Sequence, residues 1–348
     1  MKNHLFLFII SALLFSCTKT IDFDDEGFAN QVIVNSVITP GNSFTAYLTL
    51  TSSILENRKS NPPAEGTLDL YEDGILIRQF PSQLGAFSDT TITPKAGKSY
   101  RMVVTSNGKT LEAETTIPHP AEVISVDTTS AKNEFGQKTI IYKVKLKDPP
   151  GDDYYRIVVM NESLSKMTFI DPEKKKTVAY YQQKMQYSIL SDDPVFKSVY
   201  SNFGDDLIDY APYNDYYIFP DDYFQGKEYT IRFRISNFGY NYYNPYSYGN
   251  PANPNSGNGI IYERNTIHVQ RLSKDLYNYL KYLKLYDHYR DNPFAEPVPV
   301  YSNVKKGVGL FAGFNDETKM EFEKIYIPFS MDTIKVSGTS GPTGYYGQ

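Results

Sequence analysis

The stretch Thr67-Leu-Asp-Leu-Tyr-Glu-Asp-Gly-Ile-Leu-Ile-Arg-Gln-Phe80 decides the fold class. Two short runs of strand-forming residues flank Asp73-Gly74, a dipeptide that favours a tight hairpin turn. The pattern predicts an antiparallel β-hairpin, and similar runs lie on both sides of it.

Alternating apolar and polar residues recur through the first third of the chain, at 31–38, 44–50, 100–104 and 111–117. Pro40-Gly41 separates the first two runs, and Ser106-Asn107-Gly108 predicts a type I′ turn between the last two. Six or seven strands at this spacing predict an immunoglobulin-like β-sandwich over residues 29–118. Pro118-His119-Pro120 breaks the pattern and indicates a domain boundary.

A second β-rich domain is predicted over residues 119–330, with strands near 123–126, 138–146, 154–160, 226–235, 260–263 and 266–270. The pattern weakens between about 164 and 225, which indicates a long irregular insertion. One helix is predicted at 274–290, because Ser273 suits an N-cap and apolar residues follow at helical spacing. Residues 331–348 are expected to be a flexible tail, so the fold class is mainly β with one helix in the C-terminal half.

The first residues predict a membrane anchor. Lys2 and the apolar run 5–15 resemble a secretory signal peptide, residues 1–16, that is too short to span a bilayer. Cys17, the only cysteine, follows Leu14-Phe-Ser16 as in a bacterial lipobox, which would make it the lipidated first residue of a tether over 17–28. The alternative is an ordinary signal peptide with an incidental cysteine.

An acidic run follows the cysteine. It resembles the surface-export signal of Bacteroidota lipoproteins, and the alternative is a solvated linker. The residues concerned are Asp22, Asp24, Asp25 and Glu26.

Composition narrows the classes of partner. Removal of the signal peptide leaves 34 basic against 40 acidic residues, a net charge of −6, which argues against nucleic acid. Thirty-one tyrosines, 21 phenylalanines and no tryptophan favour a β-rich body.

Familiar catalytic and metal motifs are missing from the sequence. His119, His268 and His288 are scattered, there is no cysteine partner for zinc, and no Gly-x-Ser-x-Gly occurs. The segment 307–312 formally matches a dinucleotide fingerprint, but it has no following helix, so its glycines are read as allowing a bend or close strand packing. We therefore predict no catalytic residue, no cofactor and no metal.

Acidic pairs leave one alternative open. They begin at Asp152, Asp192, Asp205 and Asp221. Clustered carboxylates at turns bind calcium in some proteins, whereas most such residues are simply solvated.

Two further sets of residues are candidates for surface roles. A tract rich in Tyr, Asn, Pro and Gly at 240–259 predicts an exposed loop whose tyrosine rings could contact a partner or a sugar. The alternative is that these rings pack on the second sheet. The tyrosines concerned are Tyr240, Tyr242, Tyr243, Tyr246 and Tyr248. Three Asp-Thr sites resemble an O-glycosylation motif: Thr90, Thr128 and Thr333.

Several segments resemble an uncharacterised family of Bacteroidota outer-membrane lipoproteins, domain of unknown function 4249. They are the proline-rich run 292–313, the segment 221–230 with its Asp-Asp-Tyr-Phe-Gln-Gly-Lys-Glu-Tyr-Thr sequence, Asp153-Tyr-Tyr-Arg156, Leu272-Ser-Lys-Asp-Leu-Tyr277, Leu70–Gly74 and Gly97–Tyr100. The resemblance implies an extracytoplasmic lipoprotein without assigned catalysis, whose relatives are often encoded beside TonB-dependent receptors. The tract 240–259 departs from the family pattern.

We therefore expect a non-enzymatic lipoprotein, anchored in the outer membrane and facing the cell exterior, that serves as an accessory subunit of a TonB-dependent receptor or similar complex. Two alternatives remain open: a subunit of an outer-membrane export or assembly machine, and a carbohydrate-binding or glycan-hydrolysing surface protein.

Overall fold

The computed structural model of the protein describes residues 30–53, 60–132, 136, 138–170, 176–201, 213–235, 259–292, 296–316, 318–325 and 339–340. Strands in several sheets dominate this part of the chain, which confirms the prediction of a mainly β protein.

Seven strands lie in the described residues of the N-terminal part. They are β1 (Val32–Ile38), β2 (Phe44–Leu50), β3 (Thr67–Glu72), β4 (Ile75–Pro81), β5 (Ala86–Asp89), β6 (Ser99–Ser106) and β7 (Lys109–Thr116). The later strands are β8 (Glu122–Lys132), β9 (Lys138–Lys147), β10 (Tyr154–Ile170), β11 (Lys176–Tyr187), β12 (Ile189–Leu190), β13 (Ile218–Pro220), β14 (Glu228–Ile235), β15 (Gly259–Leu272), β16 (Val308–Asn315), β17 (Lys319–Ile325) and β18 (Thr339–Ser340). The helices are α1 (Pro194–Lys197), followed by a 3₁₀ turn at Ser198–Tyr200, and α2 (Lys274–Tyr289).

The N-terminal strands form two sheets around one core. One sheet has the order β4-β3-β6-β7, and β1, β2 and β5 belong to a larger sheet. Buried side chains from both sheets share this core, among them Phe44, Leu48, Leu70 and Met102, an arrangement consistent with the predicted sandwich.

Both predicted tight turns have the backbone that a type I′ hairpin requires. The φ angles are +49° and +82° at Asp73 and Gly74, and +50° and +71° at Asn107 and Gly108. The two hairpin turns predicted from the local sequence are therefore confirmed.

Strand β16 joins the two halves of the molecule. It lies parallel to β1, with Ile33 opposite Val308 and Ile38 opposite Gly313, and its last residues pair with β15. It also contributes Phe311 to the N-terminal core. The sheet neighbour of β1, near residue 32, is thus a strand near residue 310. The domain boundary predicted at residue 118 stays a prediction.

The second core lies between the larger sheet and the sheet β12-β14-β9-β8. On β9, Tyr142, Val144 and Leu146 lie at alternate positions and are buried, whereas Ile140 near the start of the strand is exposed. The alternation read from the sequence is therefore correct over the part of β9 that faces a core.

The irregular insertion predicted between residues 164 and 225 was wrong in its first part. There β10 continues to Ile170 and pairs with β11 as a long antiparallel hairpin. Several of the side chains described on β11 are exposed or only partly buried, so the sequence shows no clean alternation of apolar and polar residues.

Helix α2 confirms the predicted helix at 274–290 to within one residue. The Ser273 Oγ accepts a hydrogen bond from the Leu276 N–H at 3.2 Å, as an N-cap does. Leu276, Leu280 and Leu285 are buried, whereas Tyr286 is exposed.

Candidate functional site

Three consecutive apolar side chains are exposed at the edge of the N-terminal sheet. The exposed fractions are 70% for Ile75, 49% for Leu76 and 39% for Ile77. Among the described residues β4 pairs only with β3, so its outer backbone edge faces away from the sheet. An edge strand of this kind is suited to pairing with another chain, and natural proteins usually avoid apolar residues there.

The other end of β4 is fixed to the body of the protein. The Phe80 ring packs edge-on against Phe44 and Phe87, with centroids 6.0 Å and 5.7 Å apart. The Arg78 Nε lies 2.9 Å from an Asp89 carboxylate oxygen, which ties β4 to β5 in the opposite sheet. The exposed tip therefore projects from a strand that is held in place.

The register between β4 and β3 shifts near this tip. Leu70 lies opposite Arg78, but Tyr71 lies opposite Leu76, so Ile77 is the extra residue of a bulge. A bulge bends an edge strand and changes the direction of its side chains.

A cluster of three carboxylates lies where the ends of three strands of the second core meet. Asp148 follows β9, Asp153 precedes β10 and Asp221 follows β13, and one carboxylate oxygen from each lies within 4.8 Å of the others. The pairing of β10 with β13 brings Asp153 and Asp221 together, and the Asp221 N–H donates to the Asp153 carbonyl at 3.0 Å.

Two of the carboxylates have strong partners. The Tyr155 hydroxyl donates to Asp148 Oδ1 at 2.6 Å, and the Gly226 N–H donates to Oδ2 at 2.8 Å. The Arg271 Nε donates to Asp153 Oδ1 at 2.8 Å, and the Nη2 donates to the same oxygen. These bonds hold the cluster in a defined geometry.

The third carboxylate is incompletely satisfied. The Asp221 side chain is buried, with 2% of the residue exposed, and its Oδ2 has no hydrogen-bond partner. Burial, together with the negative charges of Asp148 and Asp153, raises the pKa of Asp221 to about 6, although backbone N–H groups oppose the shift. Burial also raises the pKa of Asp153 against the effect of Arg271.

A cavity of about 300 Å³ lies beside the second core. Its lining residues are Ile189, Ser191, Phe196, Lys197, Tyr213, Asn214 and Tyr217. None of these carries a carboxylate, so within the described residues this cavity does not supply the acid pair that a glycosidase uses.

Most of the residues predicted as sites lie outside the described residues. These are Cys17, the acidic run 22–26, the tyrosines of 240–248 and Thr333. Thr90 is exposed in a turn and Thr128 is exposed on β8, so both predicted glycosylation sites are accessible.

The acidic pairs behave differently from one another. Asp192 is solvated and Asp193 caps α1, while Asp205 lies outside the described residues. One member of each of the pairs 152–153 and 221–222 enters the cluster, joined by Asp148. In the described part of the chain, no histidine belongs to a group of this kind; His268 instead lies 2.9 Å from Asp316.

Sequence reasoning missed the edge residues, the cluster member Asp148 and the cluster's partner Arg271. Ile75-Leu76-Ile77 is a run of three apolar residues inside an alternating strand, and that irregularity was a usable signal. Arg271 gave no signal, because only the pairing of β10 with β15 brings it close to Asp153, 118 residues earlier in the chain.

The fold and these features define a mainly β protein with several sheets, an exposed apolar strand edge and a buried acidic cluster. No helix in the described ranges has the length and apolar character needed to cross a membrane. The chain belongs to the family described as domain of unknown function (DUF4249), whose model matches residues 18–320, as the resemblance predicted. No curated protein matches the sequence.

Proposed function

We propose that this protein is a non-enzymatic lipoprotein, anchored at Cys17 in the outer membrane and facing the cell exterior, that docks on a TonB-dependent receptor or a similar outer-membrane complex. The run Ile75-Leu76-Ile77 on the edge strand β4 is the observation that carries the proposal.

Docking at this edge follows from the chemistry of the strand. The outer edge of β4 can pair with an extended segment of a partner, and the three apolar side chains would supply the burial that makes such pairing favourable. The hold of Phe80 and Arg78 on the rest of the sandwich keeps the strand ordered, which lowers the entropy lost on binding.

The anchor supports the proposal from the sequence side. A lipid chain on Cys17, followed by the tether 17–28, would keep the edge of β4 at the membrane surface. Binding would then take place at the high effective concentration that a shared membrane provides.

Site-specific photocrosslinking in native cells tests this function. A photoreactive residue at Leu76 should crosslink to an outer-membrane receptor, whereas one at Ile140, exposed to a similar extent on β9, should not. Crosslinks to export or assembly components would instead favour a role as a subunit of an outer-membrane export or assembly machine. Equal crosslinking from Leu76 and Ile140 would contradict a docking role for β4.

The variant Leu76→Lys measures the contribution of the edge. Co-purification of the crosslinked partner should fall by about tenfold, because a central apolar anchor contributes on the order of 1–2 kcal/mol. The melting temperature should stay unchanged, since this side chain is half exposed, and Ile140→Lys should leave both measurements unchanged.

A further inference from the structure

We infer that Asp148, Asp153 and Asp221 form a binding site for a calcium ion, which joins the ends of β9, β10 and β13. This site is separate from the docking edge on β4, and the inference does not depend on the identity of a partner.

The unsatisfied oxygen is the first argument. Asp221 Oδ2 is buried within the protein and accepts no hydrogen bond. Two other carboxylates lie close to the Asp221 carboxylate. A buried carboxylate oxygen without a donor is unfavourable, and a bound cation relieves this cost directly.

The spacing of the ligands is the second argument. Calcium binds oxygen at 2.3–2.6 Å, so two oxygens on one ion lie at most about 5 Å apart. The three carboxylate oxygens satisfy this limit, since all lie within 4.8 Å of one another. Magnesium usually keeps several of its waters and binds through one or two carboxylates, so a site with three protein carboxylates suits calcium better.

The charge of the group is the third argument. When ionised, Asp148, Asp153 and Asp221 carry three negative charges, and Arg271 contributes one positive charge through its bonds to Asp153 Oδ1. A divalent cation balances the remaining two charges. Both hydrogen bonds from Arg271 go to Asp153 Oδ1, so Asp153 Oδ2 takes part in neither of them.

The remaining bonds of the cluster are compatible with ligation. Asp148 accepts one hydrogen bond on each oxygen, from Tyr155 and Gly226, and a carboxylate oxygen has a second lone pair for a metal. Calcium takes six to eight oxygens, so water or backbone carbonyl groups would supply the rest. Carboxylate-rich sites of extracellular modules have Kd values of about 10⁻⁴ to 10⁻³ M.

Terbium luminescence and thermal melting of the full-length lipidated protein in detergent test the site. Tb³⁺ replaces Ca²⁺, and excitation of Tyr155, whose hydroxyl contacts Asp148, should sensitise its emission. Calcium should displace terbium and raise the melting temperature by several degrees, because a ligand that binds only the folded state stabilises it. Magnesium should do so at least tenfold less effectively.

Matched variants locate the ion. Asp221→Asn should weaken calcium binding at least tenfold and abolish the calcium-dependent rise in melting temperature. The melting temperature of this variant without calcium should be no lower than that of the wild type. Asparagine has nearly the same shape as aspartate, and the change removes a buried charge. Asp222→Asn, at the exposed neighbouring position, should behave as the wild type does.

Three results would overturn the inference. They are no terbium or calcium binding by the wild type at 10 mM metal, equal displacement by magnesium and calcium, or unchanged calcium affinity in Asp221→Asn. If Asp221→Asn does not fold, Asp148→Asn provides the same comparison, and the wild-type titration still decides whether an ion binds.

Discussion

Gly307 and Gly309 lie where β1, β7 and β16 approach one another most closely. A Cβ atom on Gly309 would overlap the Val34 carbonyl oxygen, and one on Gly307 would overlap the Leu111 side chain. The structure thus confirms that these glycines permit close strand packing. Their match to a dinucleotide fingerprint is a coincidence of spacing.

Gly309→Ala should therefore lower the free energy of unfolding by about 3 kcal/mol or more. The backbone at Gly309 has a φ of +130°, and the added methyl group would also clash with β1. Gly151→Ala is the control, because its φ is also +130° but its Cβ would meet open space. Urea denaturation should show a loss of only about 1 kcal/mol there, and equal losses would refute the steric explanation.

At the scale of the elements, Glu162 links three neighbouring strands. It lies on β10, accepts hydrogen bonds from Arg264 on β15, at 2.6 Å, and from Gln182 on β11, and is 3.5 Å from the Lys184 ammonium group. Burial raises the pKa of Glu162, but the bonds from Arg264 and Gln182 outweigh it and hold the pKa below its ordinary value.

This depressed pKa determines the pH dependence. The ionised form is favoured in the folded state, so its contribution is complete above pH 4.5 and is lost as the pH falls further. Glu162→Gln should cost about 1–2 kcal/mol at pH 7 and progressively less as the pH falls below 4.5, as measured by denaturant melts. Glu122→Gln, which removes an exposed ion pair with Lys147, should have little effect at either pH.

Elements with a local cause could be predicted from the sequence. Asp73-Gly74 and Asn107-Gly108 set two hairpins, and Ser273 set the start of α2. The pairing of β1 with β16 could not be predicted, because nothing local in Ile33 or Val308 specifies a partner about 275 residues away in the chain. The same reason hid the acidic cluster, because Asp221 lies about 70 residues after the turn that carries Asp148 and Asp153.

At the scale of the whole molecule, Cys17→Ala tests the anchor. The variant should lose acyl labelling and should be recovered in the soluble fraction rather than with the outer membrane, because each acyl chain contributes about 0.8 kcal/mol per buried methylene. Fractionation with metabolic labelling by a fatty-acid analogue measures both. Unchanged labelling would disprove the lipobox, and Ser16→Ala, which keeps a small residue before the cysteine, should be processed normally.

The parallel pairing of β1 with β16 has a consequence for the newly made protein. A chain that crosses a membrane from its N-terminus exposes residues 32–38 long before their partner at 308–315 arrives. Until then the side of β1 that will face β16 is open, and Phe311 is missing from the core. Contacts this distant in sequence form slowly, so folding of the N-terminal sandwich should finish only after nearly the whole chain has emerged. A fragment that stops before residue 308 would then be a substrate for proteases and a target for chaperones.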